Sequence, residues 1–298
     1  TGGFGVDSMY FSKEFKKTIY IEENKELFEI VKANSNKLGL NNIKHLNDDG
    51  IEYTKNINTE IDLLYIDPSR RNKENKKVHF LSDCTPLIDY NLIKSLQNFK
   101  TILIKCSPII DLKKTIKDLK VVSEIYIVGI NNEVKEVLFS LNKQSNNDIK
   151  IKCIDLINRD LDFEFNINDI DNKKNDDNSE VLNYLYEPNS MILKSGAFGL
   201  ICDRYDVKKL NINSHLYTSK KLIDFPGRTF EVDSVVNYSK RNLKDLNISK
   251  ANITTRNFPM DVKDIRKKSK ILDGGKDYLF FTTNHTNEQI IIKTKKPH

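Results

Sequence analysis

The sequence predicts an α/β protein, a mostly parallel, doubly wound sheet with covered faces followed by smaller α+β units, on three observations. Short apolar runs alternate with helix-period patterns through residues 1–141. A glycine-rich turn, Thr1-Gly2-Gly3-Phe4-Gly5-Val6-Asp7, opens straight into the first helix pattern, and an acidic pair, Glu22-Glu23, closes the next strand-like run. Strands alternating with helices imply a parallel sheet. A glycine turn with a carboxylate about 20 residues further on is the logic of a nucleotide-type cofactor site.

Taken in order, the turn leads to a helix over 7–15 and a strand over 17–22. The next helix sets Leu27, Ile30, Val31 and Leu38 on one apolar face and stops at Gly39. A strand over 43–46, a short helix after Gly50 and the apolar run 61–66 follow, the last ending at Asp67-Pro68. The run 101–105 ends at Cys106-Ser107-Pro108, and 122–128 with 136–141 form a final strand pair around Asn131-Asn132-Glu133. Such a turn belongs after a buried strand, so the pattern predicts a strand ahead of Thr1 in a longer parent.

Residues 149–167 read as a hairpin, and 168–179, almost all Asp, Asn and Lys, as a linker or loop. A segment over 184–225 follows. The last part reads strand 228–238, helix 240–246, strand 251–256, helix 262–271, a break at Gly274-Gly275 and a hairpin over 278–283 and 289–293. The expected division is 1–167, a linker over 168–183, then 184–225 and 226–298.

No apolar run nears the length of a membrane span, and 38% hydrophobic content describes a protein without a membrane partner. Cys84, Cys106, Cys153 and Cys202 lie too far apart for a zinc site, which predicts reduced thiols, no metal and a cytoplasmic setting. The net charge of +6 is uneven: from Pro226 onward there are 15 Lys and Arg against 8 Asp and Glu. That surplus fits either a surface that meets phosphates or a solvated lysine-rich face.

Ligands of open α/β sheets sit beyond the carboxyl ends of the strands. There Glu22 is placed for ribose hydroxyls, Asp49 or its neighbour Asp48 for the amino edge of an adenine, and Asp67-Pro68-Ser69-Arg70-Arg71 for the reacting centre. Arg70 and Arg71 read as a phosphate or guanine contact, or as a structural pair bound to carboxylates. His215, in Asn213-Ser214-His215-Leu216-Tyr217, reads as a turn residue ahead of a catalyst.

The turn with Glu22, Asn34, Asp49 and the Asp67 motif resembles class I S-adenosylmethionine-dependent methyltransferases, whose fold is Rossmann-like. Added to Asn132-Glu133-Val134-Lys135-Glu136, Tyr186-Glu187-Pro188-Asn189, Phe225-Pro226-Gly227-Arg228 and Thr254-Thr255-Arg256-Asn257-Phe258-Pro259, the likeness narrows to a bacterial family. That family couples the catalytic fold to ferredoxin-like and THUMP-like C-terminal domains. The resemblance implies S-adenosyl-L-methionine as cofactor, held by Thr1, Gly2, Gly3, Gly5, Asp7, Glu22, Asp49 and Asp67. It also implies Asp67, Pro68 and Arg70 at the reacting centre and structured RNA, tRNA or rRNA, as partner.

Arg71, Arg228, Arg256, Arg266, Lys267 and Lys268 are the expected RNA contacts, although the run on the 262–271 helix also reads as that helix's solvated face. Asp-Pro-Ser-Arg is similar to the Asp-Pro-Pro-Arg of RNA uracil-5-methyltransferases, and Cys106 sits where those enzymes carry a nucleophilic thiol; a buried core cysteine is the other reading. The sequence reading is therefore an RNA methyltransferase. A non-catalytic RNA-binding protein that retains the fold is the alternative, and a methyltransferase of small molecules or proteins the third.

Overall fold

Capped helices alternating with short apolar strands build the first part of the chain, as the computed structural model shows; it describes residues 1–69, 81, 84–142, 148–158, 162–171 and 178–297. Arg70 and Arg71 lie outside these residues. Two units emerge, Thr1–Tyr126 with Lys135–Ile149, and Ile127–Val134 with Lys150–His298.

In the first unit the order is α1 (Val6–Glu14), β1 (Thr18–Ile21), α2 (Lys25–Lys37), β2 (Ile43–Leu46), α3 (Gly50–Lys55), β3 (Ile61–Ile66), α4 (Tyr90–Ser95), β4 (Phe99–Cys106) and α5 (Leu112–Leu119). The hairpin β5 (Val122–Ile130) and β6 (Glu133–Leu141) follows, with its tip assigned to the second unit. Asn24, Asp49, Asp89 and Asp111 start four of these helices by accepting from the backbone N–H of Leu27, Ile51, Leu92 and Lys114. Each such cap is worth about 1 kcal/mol.

β1 pairs with β2 and β3 with β4, both in parallel, whereas β4 meets β6 antiparallel from Ile102–Leu141 to Cys106–Val137. Among the described residues β1 has β2 as its one neighbour and β3 has β4, so each presents an unpaired edge.

Helix α2 buries Phe28 and Val31 against Tyr20 and Ile43. The expected apolar face is corrected here: Ile30 and Leu38 are exposed, at 52% and 64%. Phe28, Val31 and Ser35 set the buried stripe at spacings of three and four, which turns Ile30 away from it. Gly39, at φ +69°, ends the helix as expected, with the Leu40 N–H returning to the Ser35 carbonyl at 3.0 Å.

The second unit opens with the expected hairpin, β7 (Lys150–Asp155) against β8 (Phe163–Asn166), followed by the short α6 (Asn168–Asp171). Of the polar stretch 168–179, residues 172–177 lie outside those described. Next come β9 (Tyr184–Pro188), α7 (Ser190–Ser195), α8 (Phe198–Tyr205), β10 (Lys208–Lys209) and β11 (Tyr217–Ser219). β12 (Gly227–Asn237), α9 (Lys240–Asp245), β13 (Lys250–Arg256), α10 (Val262–Ser269), β14 (Leu272–Thr283) and β15 (Gln289–Lys295) complete it.

Segments 184–225 and 226–298 share one sheet, in the order β10-β11-β9-β12-β15-β14-β13. Its core joins Leu185, Leu210 and Leu216 of the first segment to Phe230, Phe280, Ile290 and Ile292 of the second. The expected break at Gly274-Gly275 is also corrected. Both glycines lie inside β14 at φ +89° and +93°, and the β13 register shifts there between Ala251 and Asn252. Positive φ lets the strand bulge and continue instead of ending.

Candidate active site

The glycine turn is fixed to the end of β1. The Gly2 N–H donates to the Ile21 carbonyl at 3.0 Å, and the Tyr20 hydroxyl donates to the Gly3 carbonyl at 2.7 Å. Burial first, and then the Glu22 charge, push the Tyr20 phenol up to about 12, so it stays a donor at neutral pH. Gly5 begins α1 at φ +71°, where any Cβ would overlap Val31. Gly3 is different: at φ +56° its backbone faces open space, with nothing within 4 Å of where a Cβ would be. The turn therefore leaves a bare stretch of backbone that a ligand can approach closely.

Glu22 closes the turn from the other side. Its Oε2 accepts from the Gly3 N–H and its Oε1 from the Asn24 N–H, both at 2.9 Å. Each carboxylate oxygen keeps a second lone pair for a hydroxyl donor. Asp49 caps α3 through Oδ1, 2.8 Å from the Ile51 nitrogen, and Oδ2 has no hydrogen-bond partner among the described residues.

Thr1 lies between the carboxyl ends of β1 and β3. Its neighbour Gly2 bonds to Ile21, and its own Oγ1 accepts from the Asp67 N–H at 3.4 Å. Around it opens a cleft of about 2130 Å³, lined by Thr1, Gly2, Gly3, Gly5, Asp7, Glu22, Asp49 and Asp67 together. These are the eight residues expected at the cofactor. Small-molecule sites typically measure about 300–1,000 Å³. The excess follows the unpaired edges of β1 and β3, whose residues Thr18–Ile21 and Ile61–Ile66 also line the cleft.

A cluster that the sequence did not reveal joins the glycine turn to the Asp-Pro loop. Lys105, near the end of β4 and 14% exposed, places its ammonium 2.9 Å from Asp7 Oδ2 and 2.8 Å from Asp67 Oδ2. The Tyr65 hydroxyl donates to the same Asp7 oxygen at 2.8 Å. Burial by itself would lower the Lys105 ammonium; hydrogen bonds to Asp67, Asp7 and Tyr65 outweigh it and hold the group above its usual range. Burial raises the Tyr65 phenol, opposed by its bond to Lys105 and reinforced by the one to Asp7. Strand β4 reads from sequence as an ordinary apolar run, and the one signal for Lys105 was a cation interrupting it.

Pro68 is buried beside Asp67 and is absent from the cleft lining. Ser69 continues the loop, its N–H donating to the Thr85 carbonyl at 2.8 Å. Cys106 is 5% exposed and also absent from the cleft lining. Among the described residues no His, Cys, Asp and Glu group could hold a metal ion, and no helix is long and apolar enough to cross a membrane.

Of the arginines expected at RNA, Arg228, Arg256 and Arg266 have protein partners within the second unit. Arg228 and Arg256 both clamp Glu187, which is 2% exposed: Arg256 Nη2 lies 2.7 Å from Oε1 and Arg228 Nε 2.6 Å from Oε2. Arg266 donates to the Ile271 and Ala251 carbonyls and pairs with Asp273. Lys267 and Lys268 are exposed on α10. His215 stacks on Phe198 at 3.8 Å, with Nδ1 buried and unpartnered among the described residues.

Residues 184–226 match a ferredoxin-like domain model and residues 227–296 a THUMP domain-like model. Among solved structures, a "putative methyltransferase" from Porphyromonas gingivalis W83 is 29% identical, with a TM-score of 0.87 over 100% of this chain and 76% of its own. A "putative methyltransferase" from Streptococcus mutans in complex with SAH is 11% identical over 48% of this chain and 84% of its own, at a TM-score of 0.33. No curated protein matches the chain.

Proposed function

We infer that the chain belongs to the bacterial THUMP-like domain family, in which a methyltransferase fold precedes ferredoxin-like and THUMP-like domains, and that it transfers a methyl group from S-adenosyl-L-methionine to structured RNA. The observation that carries this reading is convergence. Eight residues drawn from the glycine turn and the ends of three strands line one cleft.

The donor set fits the cofactor. Gly3 offers open backbone to its amino-acid end, Glu22 has lone pairs for ribose hydroxyls, and Asp49 Oδ2 is available to an amine. When bound, a sulfonium donor supplies an electrophilic methyl carbon: the acceptor's lone pair forms the new bond as the carbon–sulfur bond breaks, and sulfur leaves as a neutral thioether. Such a displacement asks the protein for alignment more than for a strong acid or base. Asp67, at the end of β3, is the group placed to orient the acceptor. RNA as substrate is supported by the THUMP domain-like match and by the basic surplus after Pro226.

The test is transfer of labelled methyl to bulk RNA from a strain that lacks the protein. The intact chain should label it. Asp67→Ala should abolish labelling and leave RNA retention unchanged. Retention without any labelling by the intact chain would leave an RNA-binding protein in place of an enzyme.

A further inference from the structure

Resting on the methyltransferase reading, we propose that Lys105 is a positioning residue that commits one oxygen of Asp67, leaving the other to receive the acceptor, and that the acceptor is an amine nitrogen bearing an N–H.

An ammonium has three N–H donors. Two of those of Lys105 face Asp7 Oδ2 at 2.9 Å and Asp67 Oδ2 at 2.8 Å, and the Tyr65 hydroxyl gives its own proton to the same Asp7 oxygen. The lysine is therefore fixed in direction between two carboxylates. Asp67 is held through Oδ2 by the ammonium and through its backbone N–H by Thr1 Oγ1.

Its Oδ1 has no hydrogen-bond partner among the described residues, and Asp67 is one of the cleft-lining groups, with 32% of its side chain exposed. An ionised carboxylate oxygen only accepts. The free position accordingly calls for a donor on the atom to be methylated.

That requirement sorts the possible acceptors. A pyrimidine carbon offers no such donor and needs a thiol to activate it, whereas Cys106 is buried away from the cleft lining. A ribose hydroxyl must surrender its proton as it attacks, which calls for a stronger base than a carboxylate already bound to an ammonium. An amine nitrogen attacks through its lone pair while one N–H rests on Asp67 Oδ1. After the nitrogen–carbon bond has formed, the surplus proton on nitrogen leaves to Asp67 Oδ1 and from there to water.

The experiment uses the full chain, S-adenosyl-L-methionine and RNA from the lacking strain, with nucleoside mass spectrometry of the product. An N-methylated nucleoside is expected. A carbon- or ribose-methylated product would overturn the proposal and leave the methyltransferase reading standing; no methylated product would take both down.

For the positioning role, Lys105→Met should lower kcat about 100-fold with KM for RNA within about threefold, the signature of misalignment in place of lost binding. Lys105→Arg, which keeps the charge, should recover part of the loss. If Lys105→Met does not fold, the ammonium ¹⁵N resonance of Lys105 in the donor-free protein decides: slow proton exchange that becomes fast in Asp67→Asn supports the clamp. Unchanged exchange, or unchanged kcat in a folded Lys105→Met, refutes it.

Discussion

The Lys105 cluster of the first unit and the Glu187 cluster of the second use the same parts in opposite ways. At Lys105 one cation serves two carboxylates, and Asp67 keeps an oxygen open at a cleft. At Glu187 one carboxylate, 2% exposed, spends both oxygens on two arginines. Arg228 stands directly opposite Glu187 in the β9–β12 pairing, while Arg256 arrives from β13 at the far edge of the sheet order. The second cluster thus ties distant strands together. One arrangement leaves a valence for a ligand, whereas the other consumes its valences to hold the fold.

The largest expected effect breaks the closed cluster. Glu187→Ala leaves two guanidinium groups without their counter-charge, 36% and 38% exposed, so water compensates only in part. Removing one partner of a buried ion pair typically costs about 3 kcal/mol, and urea unfolding should register a loss of that order. Glu187→Gln should lose less, since its amide oxygen still accepts from one of the two arginines. A loss below about 1 kcal/mol for Glu187→Ala would mean that the arginines are not structural and are available to RNA.

That contrast also shows what the sequence made legible. The eight residues that share the cleft could be picked out together because their signals are local: a glycine turn, an acid at a strand end, an aspartate before a proline. Each takes its position from backbone geometry within a few residues. Lys105 was not readable, because its partners Asp7 and Asp67 lie 98 and 38 positions away and are brought to it only by the order of strands. Counting charges marked Arg228 and Arg256 as RNA contacts, and such a count cannot see a buried counter-charge supplied by another strand. Ile30 and Leu38 failed for a smaller reason: Ile30 is turned off the stripe that Phe28, Val31 and Ser35 define, and Leu38 is already the C-cap of the helix.

A smaller effect separates the clusters by pH. Burial, and then the charges of Lys209 and Arg256, lower His215 from 6.5 to about 4. The unfolded imidazole takes up its proton near pH 6.5 and the folded one only near 4. Between these values the unfolded state binds more protons, so stability rises with pH. The contribution of His215 is complete above about pH 6.5 and is lost progressively down to about pH 4. His215→Phe keeps a ring against Phe198 and removes the titration. Comparing urea midpoints of the two proteins from pH 7 to 4 should show a difference that moves in favour of the variant as the pH falls. A constant difference would mean that His215 is solvated in the native state.

The smallest effect concerns the basic face of α10, which neither cluster claims. Arg266 and Lys267 are adjacent on α10, yet Arg266 is 22% exposed and spent on Ile271, Ala251 and Asp273, whereas Lys267 is exposed and without a hydrogen bond or ion pair among the described residues. If RNA runs along this helix, Lys267→Ala should weaken retention by a few-fold and reduce the slope of log affinity against log salt by about one. Stability should stay unchanged. Arg266→Ala should do the reverse, losing stability first and RNA only as folded protein is lost, because its partners are backbone carbonyls of its own unit. An unchanged salt slope for Lys267→Ala would identify the cationic run of α10 as a solvated face and move the search for the RNA surface to another part of the chain.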